Sequence, residues 1–490
     1  MKIIAIIACC IFFLFIDGMH LSAQTTYQFN LEYPVRKWSA DAVEDNEGNF
    51  LVVVSERSGV EYSYSRALRA FLLKIDSQGD TLTKYYQFGD TLFNFTGITK
   101  ISNGGYLVTG FSQLEENDVS SLLLMKIDDS LNPVWVRHHL ISGYYSVGIR
   151  LVFKMNNGFI LTGCVFSYPS LNIFPYFARI DNRGNIMHSY VYPDSTPPDE
   201  FEYLLTKDSS QIWLFAHSGL SPIHNSPSRA VFDTSFNHIF SEPLPSSDMG
   251  DFSALWYSDT TFLLSFNGQR PEMPYQDDEL GIALIDGSLN ILQQNLIGFQ
   301  DTIDDPAERF AIDFKHTDSI YFLGDKNKYF GYPGTGVKSW IMTGQLDAIF
   351  QLRYLNFISD NSYYETQYIK ATRDGGSFIC AGKWVPETQV YDLIFLKLNN
   401  EGLLLGNHPE EIKMKKAVLW PNPVSDQLFV QTALRNAKLI IYHIDGSIVL
   451  KYPLSKLVET IDVQYLSTGM YIYKIITPEG YHENGKFFKN

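Results

Sequence analysis

Two acidic stretches contain the side chains best suited to bind an ion. Their residues are Asp301, Asp304, Asp305 and Glu308 in DTIDDPAE, and Asp277, Asp278 and Glu279 in QDDE. Carboxylate oxygens are the hard ligands that calcium prefers, so calcium is the cofactor that these stretches would take. Their spacing fixes no coordination geometry, however, and we favour the alternative that they are solvated surface charge and that the protein has no cofactor.

The sequence lacks the short motifs of known catalytic sites. It contains no HExxH zinc helix, no nucleophile elbow and no EF-hand loop. GYPGTGVKSW approaches a phosphate-binding loop, but its Lys338 comes one residue too late, and we interpret the stretch as a connection between strands. The adjacent His138 and His139 would point to opposite faces of a strand and could not easily share a metal. We therefore predict no catalytic residue.

Composition restricts the fold class and the partners. Of the 490 residues, 45% are hydrophobic and 15% aromatic, which favours β-structure because flat aromatic side chains pack well on pleated sheets. The formal net charge of -16 argues against nucleic acid as a partner, since phosphate binding requires a basic surface. We expect an all-β protein of more than one domain.

The N-terminus predicts export. Lys2 precedes an apolar run at residues 3–16, and the small Ala23 could end a cleaved segment, so residues 1–23 are predicted to be a secretory signal peptide. The run is shorter than the ~20 residues that span a bilayer, and we expect no transmembrane segment in the mature chain. Cys164 and Cys380 then remain, and we predict that both are buried and free.

A repeated unit occupies most of the chain. The stretch NGGYLVTG at residues 103–110 recurs in related forms, such as NNGFILTG and DGGSFICAG, seven times in all. A second apolar stretch follows each copy and ends in a polar turn, where Asp or Asn can cap the local backbone. The first residue of this turn, its anchor, is assigned to Asp76, Asp128, Asp181, Asp233, Asp286, Thr343 and Asn399, at spacings of 52, 53, 52, 53, 57 and 56 residues.

Each unit of about 53 residues has room for four short strands, which is the content of a β-propeller blade. We predict a seven-bladed β-propeller over residues 24–406, since a closed ring of stacked sheets buries both faces of every unit. The segment TTYQFNLEY resembles the outer strand of the first unit, whereas the seventh unit has only a short one. Residues 25–33 are therefore predicted to complete the seventh blade, and a disordered tail is the alternative.

The pattern changes after residue 406. A charged stretch at 407–416 predicts a linker, and residues 417–490 contain several short strands. One pair of strands flanks the turn Asp445-Gly446, which is a strong hairpin signal. Several short strands in about 74 residues predict a small immunoglobulin-like β-sandwich.

This tail resembles the type A C-terminal sorting domain of the bacterial type IX secretion system. Four motifs occur in order: a YPNP-like start, a D-G hairpin, an L-x-x-G-x-Y element and a basic end, GKFFKN. The matching residues are Trp420, Pro421, Asn422, Pro423, Asp445, Gly446, Leu466, Gly469 and Tyr471, with Trp420 in place of the usual Tyr. The resemblance implies recognition by the outer-membrane translocon, cleavage by a sorting protease, and release or attachment at the cell surface after periplasmic passage.

Two functions fit these observations. The first, which the missing catalytic motifs favour, is a binding or adhesion module whose loops recognise an extracellular glycan or protein. The alternative is a secreted hydrolase or lyase that acts on polysaccharide with carboxylates near the propeller channel. Binding without product release would separate the first function from the second.

Overall fold

The computed structural model describes residues 25–490 except 32–35, 58–66, 87–90, 102–103, 115–118, 168–171, 194–200, 217–226, 247–248, 270–277, 300–301, 330–332, 334–335, 388, 405–416, 421, 433–436, 456–457 and 477–481. Every regular element in these ranges is a β-strand. Within the same ranges, no helix is long and apolar enough to cross a membrane. The predicted signal peptide and the predicted linker lie outside the described residues.

Seven sheets follow one another along the chain, and the N-terminal strand β1 (Tyr27–Leu31) belongs to the last of them. Sheet 1 consists of β2 (Arg36–Glu44), β3 (Phe50–Arg57), β4 (Ala67–Ile75) and β5 (Thr81–Tyr86). Sheet 2 consists of β6 (Thr91–Lys100), β7 (Tyr106–Leu114), β8 (Ser120–Ile127) and β9 (Pro133–His139). Sheet 3 consists of β10 (Ser146–Met155), β11 (Gly158–Phe166), β12 (Ile173–Ile180) and β13 (Ile186–Val191).

The remaining four sheets of this series have the same antiparallel order. Sheet 4 consists of β14 (Phe201–Leu205), β15 (Gln211–Ala216), β16 (Ser228–Asp233) and β17 (His238–Pro243). Sheet 5 consists of β18 (Gly250–Trp256), β19 (Thr261–Gln269), β20 (Asp278–Asp286) and β21 (Ile291–Ile297). Sheet 6 consists of β22 (Asp304–Pro306), β23 (Ile312–Phe314), β24 (Ile320–Lys326), β25 (Trp340–Leu346) and β26 (Leu352–Ile358), and sheet 7 of β27 (Tyr364–Ala371), β28 (Ser377–Val385), β29 (Val390–Leu398) and β1.

Each sheet packs on the next through a cluster of buried apolar side chains. Leu72 of sheet 1 and Val108 of sheet 2, for example, belong to one such cluster. Sheet 7 packs on sheet 1 in the same way, and there the rings of Phe50 and Phe378 stack with their centroids 3.9 Å apart. This order of four-stranded sheets, each covered on both faces by its neighbours, is that of a β-propeller-like repeat.

The N-terminal strand closes the series. β1 pairs antiparallel with β29, so that Tyr27 lies opposite Lys397 and Leu31 lies opposite Leu393. It thereby takes the outer position that the fourth strand occupies in the other sheets. The prediction that residues 25–33 complete the seventh unit is confirmed for Tyr27–Leu31, while residues 32 and 33 lie outside the described residues.

Six of the seven assigned turn anchors are confirmed, and the assignment of Thr343 as the seventh is wrong. At Asp76, the Oδ1 atom accepts hydrogen bonds from the amides of Gln78 and Asp80, as expected for a turn that the side chain caps. Thr343 is instead a buried residue of β25, and its hydroxyl donates to the Phe322 carbonyl at 3.0 Å.

The anchor of sheet 6 is Asp347, whose Oδ1 accepts hydrogen bonds from the amides of Ile349 (3.0 Å) and Gln351 (2.8 Å). It follows Asp286 by 61 residues and precedes Asn399 by 52. The longer interval has a structural cause, because residues 308–310 leave the innermost strand of sheet 6 and lengthen that unit.

The two cysteines differ in burial. Neither forms a disulfide bond with another described residue, Cys380 is buried, and Cys164 is half-buried. The prediction of burial is therefore confirmed for Cys380 and wrong for Cys164, whose strand position leaves part of its side chain exposed.

The tail forms two sheets over a common core. Their strands are β30 (Ala417–Trp420), β31 (Gln427–Thr432), β32 (Ala437–His443), β33 (Ile448–Leu454), β34 (Val458–Asp462), β35 (Gly469–Ile476) and β36 (His482–Lys489). One sheet has the order β30-β31-β34 and the other the order β33-β32-β35-β36. Leu428 of the first sheet and Ile441 of the second are buried in one cluster. An immunoglobulin-like strand order stays a prediction.

Candidate functional site

The innermost strands of several sheets contain a β-bulge. The register shifts leave an extra residue in β2, β6, β10 and β27, and these residues are Ala40, Thr96, Arg150 and Gln367. A bulge removes one residue from the hydrogen-bonded ladder and re-aims its side chain and peptide groups. Polar groups of three of these residues meet a single segment of sheet 6.

Sheet 6 contributes part of its chain to the centre of the ring. Both β22 and β23 pair with β24, and Ala307 and Ala311 keep backbone hydrogen bonds to Leu323 of β24, so residues 308–310 alone leave the ladder. We call Glu308–Phe310 the axial segment. The Arg309 carbonyl accepts hydrogen bonds from Arg150 Nη2 of sheet 3 (2.8 Å) and Ser253 Oγ of sheet 5 (3.3 Å).

The axial segment also contacts sheets 1, 2 and 7. Arg309 Nη2 donates to the Thr96 carbonyl of sheet 2 at 3.1 Å, and its guanidinium carbon lies 5.3 Å from the ring centre of Trp38 in sheet 1. The Arg309 amide donates to the Gln367 carbonyl of sheet 7 at 2.9 Å. The centre of the ring is therefore bridged by the protein's own chain.

Two carboxylates of this centre form ion pairs. Glu202 of sheet 4 is buried, and its Oε2 lies 3.1 Å from Arg150 Nη2. Burial raises the pKa of Glu202, while the positive charge of Arg150 opposes the rise. Asp41 of sheet 1 pairs with Lys370 of sheet 7 at 2.7 Å.

A third carboxylate, Glu308, belongs to the axial segment itself and is exposed. Its Oε2 accepts a hydrogen bond from Gln367 Nε2 at 3.0 Å. Next to it, the ring of Phe310 lies 4.1 Å from Lys370 Nζ, close enough for a cation–π contact. Each of the three central carboxylates thus has a partner within the protein.

The stretch DTIDDPAE continues into this centre, and the prediction of solvated charge is wrong for Asp304 and Asp305. Both are buried in the innermost strand of sheet 6. Asp304 Oδ2 accepts hydrogen bonds from the Phe299 amide (2.7 Å) and the Thr302 hydroxyl (3.1 Å), and burial raises the pKa of Asp304 to about 7. Asp305 pairs with Lys328 at 2.7 Å.

The remaining acidic residues of the two stretches differ in burial. In QDDE, Asp278 is half-buried and Glu279 is buried, so the prediction of solvated charge is also wrong for Glu279. Asp277 and Asp301 lie outside the described residues. Among the residues that are described, no three His, Cys, Asp or Glu side chains are arranged to hold a metal ion. Calcium binding at these stretches stays the less favoured of the two interpretations.

Two surface clefts lie between neighbouring sheets, and the sequence motifs indicated neither. The first, of about 820 Å³, lies between sheets 4 and 5 and contains Trp213 and Trp256. The second, of about 400 Å³, lies between sheets 6 and 7 and contains Tyr321 and Arg353. The tryptophans gave no signal for the first cleft, since every repeat unit except the third contains one.

The first two motifs of the tail occupy separate places in its two sheets. Asn422 Oδ1 accepts a hydrogen bond from the Phe488 amide at 2.8 Å, so the start of the tail lies beside its basic end. Asp445 and Gly446 form the expected turn between β32 and β33, where Asp445 Oδ1 accepts from the Ser447 amide at 2.8 Å.

The last motif is built around a buried tyrosine. Tyr471 is 1% exposed, its hydroxyl donates to the Ser467 carbonyl at 2.8 Å, and its ring stacks on Phe487. Leu466 is also buried, and Gly469 begins β35. The remaining motif positions are Trp420, which ends β30, Pro423, which follows a cis peptide bond, and Pro421, which lies outside the described residues. The roles of all these residues in sorting stay predictions.

Comparison with protein families assigns the tail. Residues 418–489 match the family described as the secretion system C-terminal sorting domain. The match indicates export through the type IX secretion system to the cell surface or the extracellular space. With the repeated sheets, it defines an exported β-propeller-like repeat protein that has a C-terminal sorting domain. A search of curated protein sequences found no match.

Solved structures with similar folds are distant in sequence. The β-propeller domain of the Trilobed protease from Pyrococcus furiosus is 12% identical, with a TM-score of 0.41, over 74% of this chain and 94% of that one. The α-L-arabinofuranosidase Arb93A from Fusarium graminearum is 8% identical, with a TM-score of 0.41, over 76% and 97%. Pyrococcus horikoshii acylaminoacyl peptidase is 11% identical, with a TM-score of 0.42, over 81% of this chain but only 57% of the peptidase.

Proposed function

We propose that the protein is an exported seven-bladed β-propeller that acts as a binding or adhesion module for an extracellular glycan or protein. The seven sheets in closed order support the number of blades. Residues 24–406 would form the propeller, residues 407–416 a linker and residues 417–490 the sorting domain. The translocon and the sorting protease of the type IX system would be its partners during export.

The main observation in support of this proposal is that carboxylates at the centre of the ring are already bound in ion pairs. Canonical glycoside hydrolysis uses two carboxyl groups that flank a substrate bond, one as a proton donor and one as a nucleophile or base. Here Glu202 and Asp41 form ion pairs with Arg150 and Lys370. A substrate would have to break these pairs before reaching either carboxylate.

A rigid ring whose centre is filled by its own chain suits a binding role. Glu308–Phe310 connects the innermost strands of sheets 2, 3, 5 and 7 by hydrogen bonds and so holds these sheets at fixed positions. A preorganised surface loses little conformational entropy when a ligand binds. The hydrolase alternative remains the second candidate because Glu308 is exposed at the centre.

The test compares binding with catalysis by the full exported chain. The protein is applied to arrays of glycans and of extracellular proteins, and every retained ligand is incubated with it and examined for cleavage by mass spectrometry. We expect retention on a defined set of ligands without product. Product release that is lost in Glu308→Gln but kept in a surface variant such as Asp80→Asn, whose side chain is exposed and lines neither cleft, would support the hydrolase instead.

A further inference from the structure

The cleft between sheets 4 and 5 has the properties of a ligand site. Its volume of about 820 Å³ falls within the range of small-molecule sites in proteins. Three turns form its rim, at residues 206–211, 258–260 and 286–288, and two tryptophans form its wall. The cleft lies outside the ring centre, so the axial segment does not block it.

The wall of the cleft consists of two indole rings from neighbouring sheets. Trp213 and Trp256 lie with their ring centroids 5.1 Å apart and their planes at 54°. Trp213 is only 7% exposed, whereas Trp256 is half-buried and presents the accessible indole surface. Trp256 Nε1 donates to the Leu205 carbonyl at 2.7 Å, so the polar edge of this ring is already engaged within the protein.

The wall is held in place from behind. The Arg229 guanidinium carbon lies 4.2 Å from the ring centre of Trp213, and Arg229 Nη1 donates to the Gly287 carbonyl at 3.0 Å. Arg229 also pairs with Glu242. Because Arg229 packs against the wall and also holds the rim turn at Gly287, wall and rim keep their relative positions without a ligand. A ligand that binds there pays little entropy for ordering the site.

The rim supplies hydrogen-bond acceptors and negative charge. Asp208, Asp259 and Asp286 line the cleft together with Lys207, while the charge of Arg229 behind the wall is paired with Glu242. Hydrogen bonds, chiefly from the side chains of Thr206 and Asn290 respectively, lower the pKa of Asp208 and of Asp286. These carboxylates are therefore ionised at neutral pH and accept hydrogen bonds from hydroxyl groups.

On the basis of the proposed binding function, we infer that this cleft binds a neutral oligosaccharide. The C–H face of a sugar ring is slightly positive and packs on the negative face of an indole ring, while its hydroxyl groups donate to the rim carboxylates. The three rim carboxylates outnumber Lys207, and Arg229 is paired with Glu242, so the net negative charge repels uronate and sulfate groups at short range. The accessible ring of Trp256 and the rim carboxylate of Asp259 are the residues that select this ligand.

The experiment measures binding of the full exported chain to matched arrays of neutral, uronate-containing and sulfated oligosaccharides. Trp256→Ala removes the stacking surface, and Asp259→Ala removes an exposed acceptor with little effect on folding. We expect each variant to bind the neutral oligosaccharides about tenfold more weakly or worse, since ~1.4 kcal/mol of lost contact gives a factor of ten. Trp135→Ala is the matched control, because Trp135 is also half-buried but lies on the outer strand of sheet 2.

The outcomes separate this inference from the proposed function. Glycan binding that survives in both Trp256→Ala and Asp259→Ala would overturn the cleft and leave the binding function intact. A preference of the wild-type protein for uronates or sulfates, or capture of a protein ligand through Trp256, would also overturn the inference. Weaker binding in Trp256→Ala and Asp259→Ala, with wild-type binding in Trp135→Ala, would support it even if Trp135→Ala melts at a lower temperature.

Discussion

Tyr27 of the N-terminal strand packs directly against Gly79 in the turn of sheet 1. A β-carbon on Gly79 would lie 3.1 Å from Tyr27 Cγ, and the backbone φ of Gly79 is 88°. Trp135 covers Gly184 and Tyr354 covers Gly402 in the same way, from the outer strand of the preceding sheet. By this contact, β1 takes the same role in sheet 7 as the outer strands of the other sheets.

The position of Gly79, three residues after the turn anchor, has a positive φ in all seven sheets. Its occupants are Gly79, Leu131, Gly184, Phe236, Leu289, Phe350 and Gly402. The four large residues are buried, so packing between sheets offsets backbone strain that costs about 1 kcal/mol or more per residue. The position therefore holds either a glycine under an aromatic ring or an apolar side chain that fills the same space.

We expect Gly79→Ala to lower the free energy of unfolding by about 1 to 3 kcal/mol more than Gly48→Ala does. Gly48 has a similar φ of 84°, but a β-carbon there would meet nothing within 4 Å. The two variants thus share the backbone strain, and only Gly79→Ala disturbs Tyr27. Denaturant midpoints measure the difference, and equal midpoints would argue that β1 does not pack on sheet 1 in solution.

A second prediction concerns the equivalence of the repeated turns. A β-carbon on Gly105 would lie 2.1 Å from the Ile127 carbonyl oxygen, and one on Gly376 would lie 2.1 Å from that of Leu398. Gly105→Val and Gly376→Val should therefore both destabilise the protein, on the order of 3 kcal/mol, and Gly105→Val should cost more because the φ of Gly105 is 80°. Gly143→Val, which has φ 87° and open space, should cost less. A control variant as unstable as the other two would contradict the alignment of the repeats.

A third prediction concerns the centre of the ring. Arg150→Met leaves Glu202 buried without its ion-pair partner and should lower the free energy of unfolding by about 3 to 5 kcal/mol. The double variant Arg150→Met/Glu202→Leu removes both charges and should recover much of this loss. Urea unfolding of the wild type and the two variants measures the coupling. A single variant as stable as the wild type would show that the pair is not formed in the folded protein.

The pH dependence of stability provides a fourth prediction. Burial raises the pKa of Asp304 from an ordinary 3.8 to about 7, so the folded chain holds this proton more tightly than the unfolded chain. The contribution of Asp304 therefore makes the free energy of unfolding fall as pH rises from about 4 to about 7. Asp304→Asn should flatten this slope in urea titrations across the window. An unchanged slope in the variant would contradict the assignment.

The tail provides a fifth prediction. The buried cluster around Leu428 and Ile441 contains only residues after 416, so the repeated sheets do not depend on it for their core. Deleting residues 417–490 should leave the melting temperature of the repeat region unchanged and trap the protein in the periplasm. Cell fractionation and thermal melting of the trapped protein test both parts. Surface display of the truncated chain would contradict the role of the tail as a sorting domain.

The repeat was predictable because its signals are local. A capped turn at Asp76 or Asn399 depends on residues within four positions, which any copy of the unit repeats. The wrong assignment of Thr343 arose in the one unit that an excursion lengthens, and Asp347 takes its place. The acidic stretch was misjudged for a related reason, since the burial of Asp304 depends on strands that lie far away in the chain.

The central contacts could not be predicted from the sequence. The side chain of Arg150 donates a hydrogen bond to the carbonyl of Arg309, 159 residues later in the chain, and the repeat pattern of the sequence does not predict this contact. The cleft at Trp213 and Trp256 likewise forms only when sheets 4 and 5 pack together. In both cases the chemistry depends on the pairing of whole repeat units, which local patterns do not encode.

The pairing of β1 with β29 also determines when the ring can close during folding. Tyr27 lies opposite Lys397, 370 positions later in the chain, so this pair closes a very long loop and raises the mean sequence separation of contacts. During synthesis the first strand of the ring must wait, unpaired, until the third strand of the last sheet has been made. The edge of sheet 7 that β1 will cover therefore stays unpaired until late in folding, and an unpaired strand edge can pair with other chains and cause aggregation. A chaperone would protect the folding chain most at this edge.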